Sequence, residues 1–128
     1  MKKWLILFAL PLLFSKPVSA QQKWKELDSF HEVMAQTFHP SEEGKLEPIK
    51  TRSQELLDKA NAWKNSTAPA GYDQNAVKKN LKELVKGAGD LNKLVRQKSS
   101  DAVIKEKLAK LHEIFHQIVE KCEKEEHM

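Results

Sequence analysis

Apolar residues recur every three or four positions along four separate stretches of the chain. This spacing is typical of a helix with one face packed against other helices. The clearest stretch lies near the C-terminus and predicts a helix that runs to about Glu123. Its predicted buried residues are Ile104, Leu108, Leu111, Phe115, Ile118 and Cys122. No stretch alternates between apolar and polar residues at every second position, so no strand is predicted.

Three earlier stretches carry the same spacing. The first predicted helix covers residues 23–38 and ends at His39-Pro40, because the residue before a proline disfavours the helical conformation. The second covers residues 45–65, with Pro48 tolerated in its first turn. The predicted buried residues of these two helices are Trp24, Leu27, His31, Met34 and Phe38, followed by Ile49, Ser53, Leu56, Ala60 and Trp63.

The third predicted helix covers residues 73–97, after a loop rich in Ser, Thr, Pro and Gly at residues 65–73. Asp73 is its expected N-cap, and Ser100 or Asp101 is expected to cap the fourth helix. The buried residues predicted for the third helix are Val77, Leu81, Leu84, Ala88, Leu91 and Val95. Gly87 and Gly89 interrupt this helix, and either a close approach by a neighbouring group or a tolerated weakness explains them.

Four amphipathic helices joined by mostly short loops predict an all-α fold, an antiparallel up-down-up-down four-helix bundle. Two other arrangements stay open at this point. One is a domain-swapped dimer, and the other is a three-helix core with the first helix packed loosely.

The first 20 residues have the features of a secretory signal peptide. Lys2 and Lys3 precede an apolar run at residues 4–14, and Val18-Ser19-Ala20 offers the small residues that signal peptidase accepts. The run is shorter than the roughly 20 apolar residues of a membrane-spanning helix. We therefore expect cleavage after Ala20, a domain at residues 21–128, no membrane attachment afterwards, and a periplasmic or secreted location.

Cleavage removes much of the basic character of the chain. The full sequence carries a net charge of +4, and three of its lysines but none of its acids lie in residues 1–20. The near-neutral remainder does not predict nucleic-acid binding. Cys122 has no second cysteine for an internal disulfide. A buried thiol is expected, and a metal thiolate or an intermolecular disulfide stays open.

The histidines are the most concentrated chemistry in the chain. His112 and His116 are four residues apart and share one helix face. Antiparallel packing of the first and fourth helices is expected to place His31 opposite Leu111 and His112, with Glu32 nearby. Imidazoles with a carboxylate suit zinc or copper(II).

His39 lies about 12 Å along the first helix from His31, at 1.5 Å per residue. It joins the same metal site only if the loop after it folds back, and otherwise it serves a second site with Glu42 or Glu43. Each histidine also has a structural interpretation. His31 is compatible with a satisfied core residue, His39 with a helix-capping residue, and His112 and His116 with surface residues.

The four-helix layout and the segment FHQIVEKC at the end of the fourth helix resemble the cytochrome c′ and b-type cytochrome bundles of the bacterial periplasm. The resemblance implies a haem-ligating histidine at His116. The c-type attachment motif C-x-x-C-H is replaced here by residues 112–116, HEIFH, so covalent haem is not expected. A b-type haem would use His116 with Met34 or His31.

The sequence therefore favours a non-enzymatic, exported transition-metal-binding bundle. A b-type haem or electron-carrier bundle and a cofactor-free interaction module are the alternatives, and a protein partner or a homodimer is possible. A dinuclear carboxylate site is a weaker option. Asp28 and Glu113 each lie three residues before a histidine, but Glu55 and Glu83 on the middle helices are in no convincing register.

Overall fold

A computed structural model describes residues 23–122 of the chain. The four helices are α1 (Lys25–Glu42), α2 (Glu47–Lys64), α3 (Gln74–Arg96) and α4 (Asp101–Lys121). Residues 23–122 contain no strand, and consecutive helices pack against each other, which confirms the all-α four-helix bundle. None of these four helices is long and apolar enough to cross a membrane. The predicted signal peptide and the tail at residues 123–128, including His127, lie outside the described residues.

The predicted faces of α2, α3 and α4 are the faces that the bundle buries. Every position predicted to be buried on these three helices is buried except Val95, which is partly buried. Asp73 accepts a hydrogen bond from the backbone N–H of Ala76, and Ser100 accepts one from Val103, so both predicted caps are confirmed. Gly87 lies directly against the side chain of Leu111, whereas a side chain at Gly89 would meet nothing within 4 Å.

The buried face of α1 differs from the prediction. Its buried residues are Phe30, Val33, Met34, Thr37 and Ser41. His31 is exposed and Phe38 is partly buried, so the prediction that His31 occupies a core position was wrong. Thr37 replaces Phe38 in the core because its hydroxyl donates to backbone carbonyls of its own helix, at 2.9 Å from Val33 and 3.1 Å from Met34. A hydroxyl that is satisfied in this way can be buried at little cost.

The end of α1 also differs from the prediction, because the helix continues through Pro40 to Glu42. Proline in the last turn removes one backbone hydrogen bond, and the carbonyl that loses its donor belongs to the exposed Gln36. The helix ends in a Schellman motif, in which Lys45 N–H donates to the Pro40 carbonyl and Gly44 N–H to that of Ser41. Gly44 has a φ of 85°, a conformation that glycine adopts without steric cost.

α1 and α4 lie side by side without being consecutive in the chain. Their backbones approach each other less closely than those of consecutive helices. The wider space between them is filled by aromatic and imidazole rings from both helices. This interface holds the histidines that the sequence singles out.

Candidate functional site

Two pairs of stacked rings join α1 to α4. The ring of His31 stacks on Phe115 with centroids 5.0 Å apart, and Phe38 stacks on His112 at 3.8 Å with only 9° between the ring planes. His39 lies beside Phe38, with centroids 5.8 Å apart. We use the name histidine seam for the four residues His31, His39, His112 and His116, which lie along this edge of the bundle.

The contacts of the seam differ from the predicted alignment by about one helical turn at His31 and about two at Phe38, which stacks on His112 and not on the start of α4. His31 lies against Phe115, whereas the sequence placed it opposite Leu111 and His112. That alignment assumed that α1 ends at Phe38, and the helix actually ends four residues later at Glu42. Four residues are about one turn of an α-helix, so the later end accounts for the direction of the shift and for its size at His31.

His112 and His116 form the closest imidazole pair of the seam. Their ring centroids are 4.5 Å apart and the planes are nearly perpendicular. Nδ1 of His116 lies 2.9 Å from Oε2 of Glu120, one turn further along α4. A carboxylate at Nδ1 orients the ring and leaves Nε2 as the potential ligand. The sequence analysis missed Glu120, although its spacing of four residues from His116 would have indicated this contact.

The surroundings of His112 favour its neutral form. Partial burial lowers the pKa of His112 below its ordinary value, and the nearby His116, His39 and His31 lower it further, while Glu42 acts in the opposite direction. His112 is therefore a neutral imidazole at pH 7, which is the form that binds metals. The influence of His39 and Glu42 also shows that the end of α1 lies close to His112.

The lowered pKa of His112 predicts a loss of stability in acid. As the pH falls below about 6.5, His112 binds a proton in the unfolded chain more readily than in the folded one, so protonation favours unfolding. We expect the metal-free protein to lose more free energy of unfolding between pH 7.5 and pH 5 than its His112→Gln variant. Urea denaturation across this range measures the difference. Equal losses would contradict the prediction, and a gain in acid would show that a cation–π contact with Phe38 dominates.

The other predicted ligands are less well placed. His31 and His39 are exposed, and each contacts a phenylalanine ring. Glu32 does not join the seam. It lies on the side of α1 that faces α2. The pKa of Arg52 on α2 is raised mainly by the hydrogen bond to Glu55, and the charge of Glu32 adds to this effect. Within residues 23–122, no three His, Cys, Asp or Glu side chains come close enough together to hold a metal ion.

No family model matches the chain, and neither the curated proteins nor the solved structures contain a match. The candidate site is therefore judged on its own geometry.

The interior of the bundle is already filled by side chains where a haem would have to bind. Met34 is completely buried, whereas the side chain of His116 is 46% exposed. The rings of Phe30, Trp63 and Phe115 pack against one another with centroids 5.3 to 6.0 Å apart. A haem between α1 and α4 would have to displace rings of this cluster. Ligation of haem by Met34 and His116 stays a prediction, and it requires a rearranged core.

Cys122 is buried at the end of α4, as expected for a thiol on the apolar face. Burial raises its pKa, and this effect outweighs the hydrogen bond that Asn80 donates to Sγ at 3.5 Å. The thiol is therefore protonated at neutral pH and is a poor nucleophile and metal ligand in this state. The backbone carbonyl of Cys122 accepts a hydrogen bond from Asp73, which ties α4 to the start of α3.

The carboxylates needed for a dinuclear site are engaged elsewhere or dispersed. Glu55 of α2 accepts a hydrogen bond of 2.7 Å from Nε of Arg52. Glu83 of α3 and Glu113 of α4 border a groove between those two helices, away from the histidine seam. The structure thus gives no added support to this option.

Proposed function

We propose that the protein binds a divalent transition-metal ion, zinc or copper(II), through His112 and His116. The observation that carries the proposal is the pair itself: two imidazoles one turn apart, with Nδ1 of His116 held by Glu120. Both metals accept imidazole nitrogen, and a helix supplies two such ligands from positions four residues apart. The expected role is non-enzymatic: buffering, sensing or delivery of the ion outside the cytoplasm.

The immediate surroundings of the pair suit a cation. His112 is held in its neutral form by burial and by the neighbouring imidazoles. Glu120 and Glu42 supply negative charge beside the pair, and neither is needed as a direct ligand. His31 and His39 lie on the same seam, but neither is close enough to form a three-ligand group with the pair, so each assists only after moving towards it. Glu32 faces α2 and is not part of the proposed site.

A cobalt titration tests the proposal. Cobalt(II) occupies zinc sites and gives visible d–d bands when nitrogen ligands replace water. We expect these bands when cobalt is added to the exported chain, purified without a histidine tag, at pH 7.5. His112→Ala and His116→Ala should each weaken binding by about 10-fold or more, because one remaining imidazole holds the ion poorly. Competition with zinc should remove the bands.

His31→Ala is the matched control, because it removes an imidazole from the same seam without touching the pair. We expect it to bind cobalt with nearly unchanged affinity. A wild-type chain that gives no cobalt bands and does not bind zinc would refute the proposed function. Equal weakening in all three variants would show instead that His31 is a ligand and that its ring leaves Phe115.

A cofactor-free interaction module is the second candidate, and the ring stacking favours it. His31 and His112 each lie flat against a phenylalanine, so they already contribute to packing between α1 and α4. In that case the histidines serve the fold, and metal addition changes neither the spectrum nor the stability. The cobalt titration therefore separates the two candidates.

A further inference from the structure

The proposed metal site is open on the side that faces solvent. His116 and Glu120 have side chains that are 46% and 60% exposed, so the imidazole of His116 lies at the surface of the bundle. An ion held by His112 and His116 has two protein ligands, whereas zinc sites with a structural role have four. The remaining ligands would have to come from outside the chain, and the exposure of His116 lets another molecule approach it.

The nearest imidazoles of the same chain are held elsewhere. His31 stacks on Phe115 at 5.0 Å, and His39 lies edge-on to Phe38 at 5.8 Å. Within residues 23–122 no third His, Cys, Asp or Glu side chain lies close enough to complete a metal-binding group, so recruiting either one requires its ring to move. A ligand from outside the chain carries no such cost.

We propose that the ion joins two copies of this chain, each of which supplies His112 and His116. This inference rests on the proposed function and identifies the partner of the metal-bound protein as a second copy of the same chain. A two-fold axis through the ion relates the two pairs, so that four imidazoles complete a tetrahedral site. The same surface serves both copies, as a two-fold interface requires.

The composition of α4 next to the pair is compatible with such an approach. Ala109 lies one turn before His112 and Val119 one turn after His116, and both are short, uncharged and partly buried. The two Glu120 carboxylates, one from each copy, balance the two positive charges of the ion and orient the two His116 rings. Because the ion provides the main attraction, the dimer should form only when metal is present.

Sedimentation velocity during a zinc titration tests this arrangement. We expect the mass of the exported chain to double as zinc rises to half an equivalent per chain, and chelation with EDTA to restore the monomer. Excess zinc should then dissociate the dimer, because each copy can bind an ion of its own. His116→Ala should stay monomeric throughout, whereas His31→Ala, the matched control, should dimerise as the wild type does.

The outcomes separate the two proposals. A monomer that binds one zinc per chain at every ratio overturns the dimer and leaves the proposed function intact. The absence of any zinc binding, measured by calorimetry on the same samples, overturns both. A zinc-dependent dimer that persists in both His112→Ala and His116→Ala also overturns the inference, because the bridging ligands then lie elsewhere.

Discussion

Replacing Phe115 by alanine should destabilise the protein by about 3 to 5 kcal/mol, the usual cost of emptying an aromatic core position. Phe115 is only 5% exposed, and its ring packs against those of Phe30 and Trp63, with centroids 5.9 and 6.0 Å away. The same ring supports His31 on its outer side. Its loss therefore leaves a void in the core and removes a contact between α1 and α4. Urea denaturation followed by circular dichroism measures the change.

Val103→Ala is the matched control, because it shortens an apolar side chain of the same helix that is 43% exposed. We expect it to change the stability by no more than about 0.5 kcal/mol. A domain of this size has a total stability of only about 5 to 15 kcal/mol, so Phe115→Ala could leave the chain unfolded. Phe115→Leu then provides a milder test. A loss below about 1 kcal/mol for Phe115→Ala would mean that this face of α4 is not the packed one.

The sequence predicted α2, α3 and α4 well because each has a nearly unbroken apolar face. The six positions predicted for the fourth helix, from Ile104 to Cys122, are all buried. Loop chemistry was equally informative, since Asp73 and Ser100 cap the helices that follow them. Local features of this kind depend on neighbours in the chain, so they can be recognised without the fold.

The sequence was misleading on α1 because two of its buried positions are polar. Thr37 and Ser41 look like surface residues in a pattern of apolar spacing, and the bundle buries both. Phe38 is apolar and His31 fits the same spacing, so the prediction placed the buried face on the side of the helix that carries these two residues. Only the packing against α4 shows that Phe38 and His31 flank the core and stack on rings of that helix.

The candidate site shows the same division between local and long-range information. The pairing of His112 with His116 follows from helical spacing alone, and the structure keeps the two rings adjacent. The sequence analysis placed Glu32 near His31 and His112 because it assumed the wrong buried face of α1. In the structure Glu32 lies on the side of α1 that faces α2. The close approach of His39 and Glu42 to His112 depended on the extension of α1 through Pro40, against the usual effect of proline.

The stacking of His112 on Phe38 is compatible with metal binding. Contact with the phenylalanine face uses the plane of the imidazole, whereas a metal is bound at the edge, through a ring nitrogen. The stack fixes the plane of the ring and so limits the directions in which its nitrogens can point. A ligand held in this way loses less freedom when the ion binds.

Zinc should stabilise the folded protein, and the two α4 histidines should account for most of the effect. At free zinc a hundredfold above the dissociation constant, the free energy of unfolding should rise by about 2.7 kcal/mol, because the site exists only in the folded state. His112→Ala and His116→Ala should each lose most of this gain, and His127→Ala in the C-terminal tail should keep it. Thermal melts of each variant with and without zinc at pH 7.5 measure the gain.

The same melts at pH 5.5 show whether imidazoles are the ligands. A metal competes with protons for imidazole nitrogen, so the zinc-dependent gain should shrink as the pH drops below about 6.5. Each melt with zinc is compared with a metal-free melt at the same pH, which separates this loss from the acid sensitivity caused by His112 itself. A gain that is as large at pH 5.5 as at pH 7.5 would point to carboxylate ligands. A wild-type melt that does not move with zinc would leave the histidines with a structural role in the α1–α4 interface.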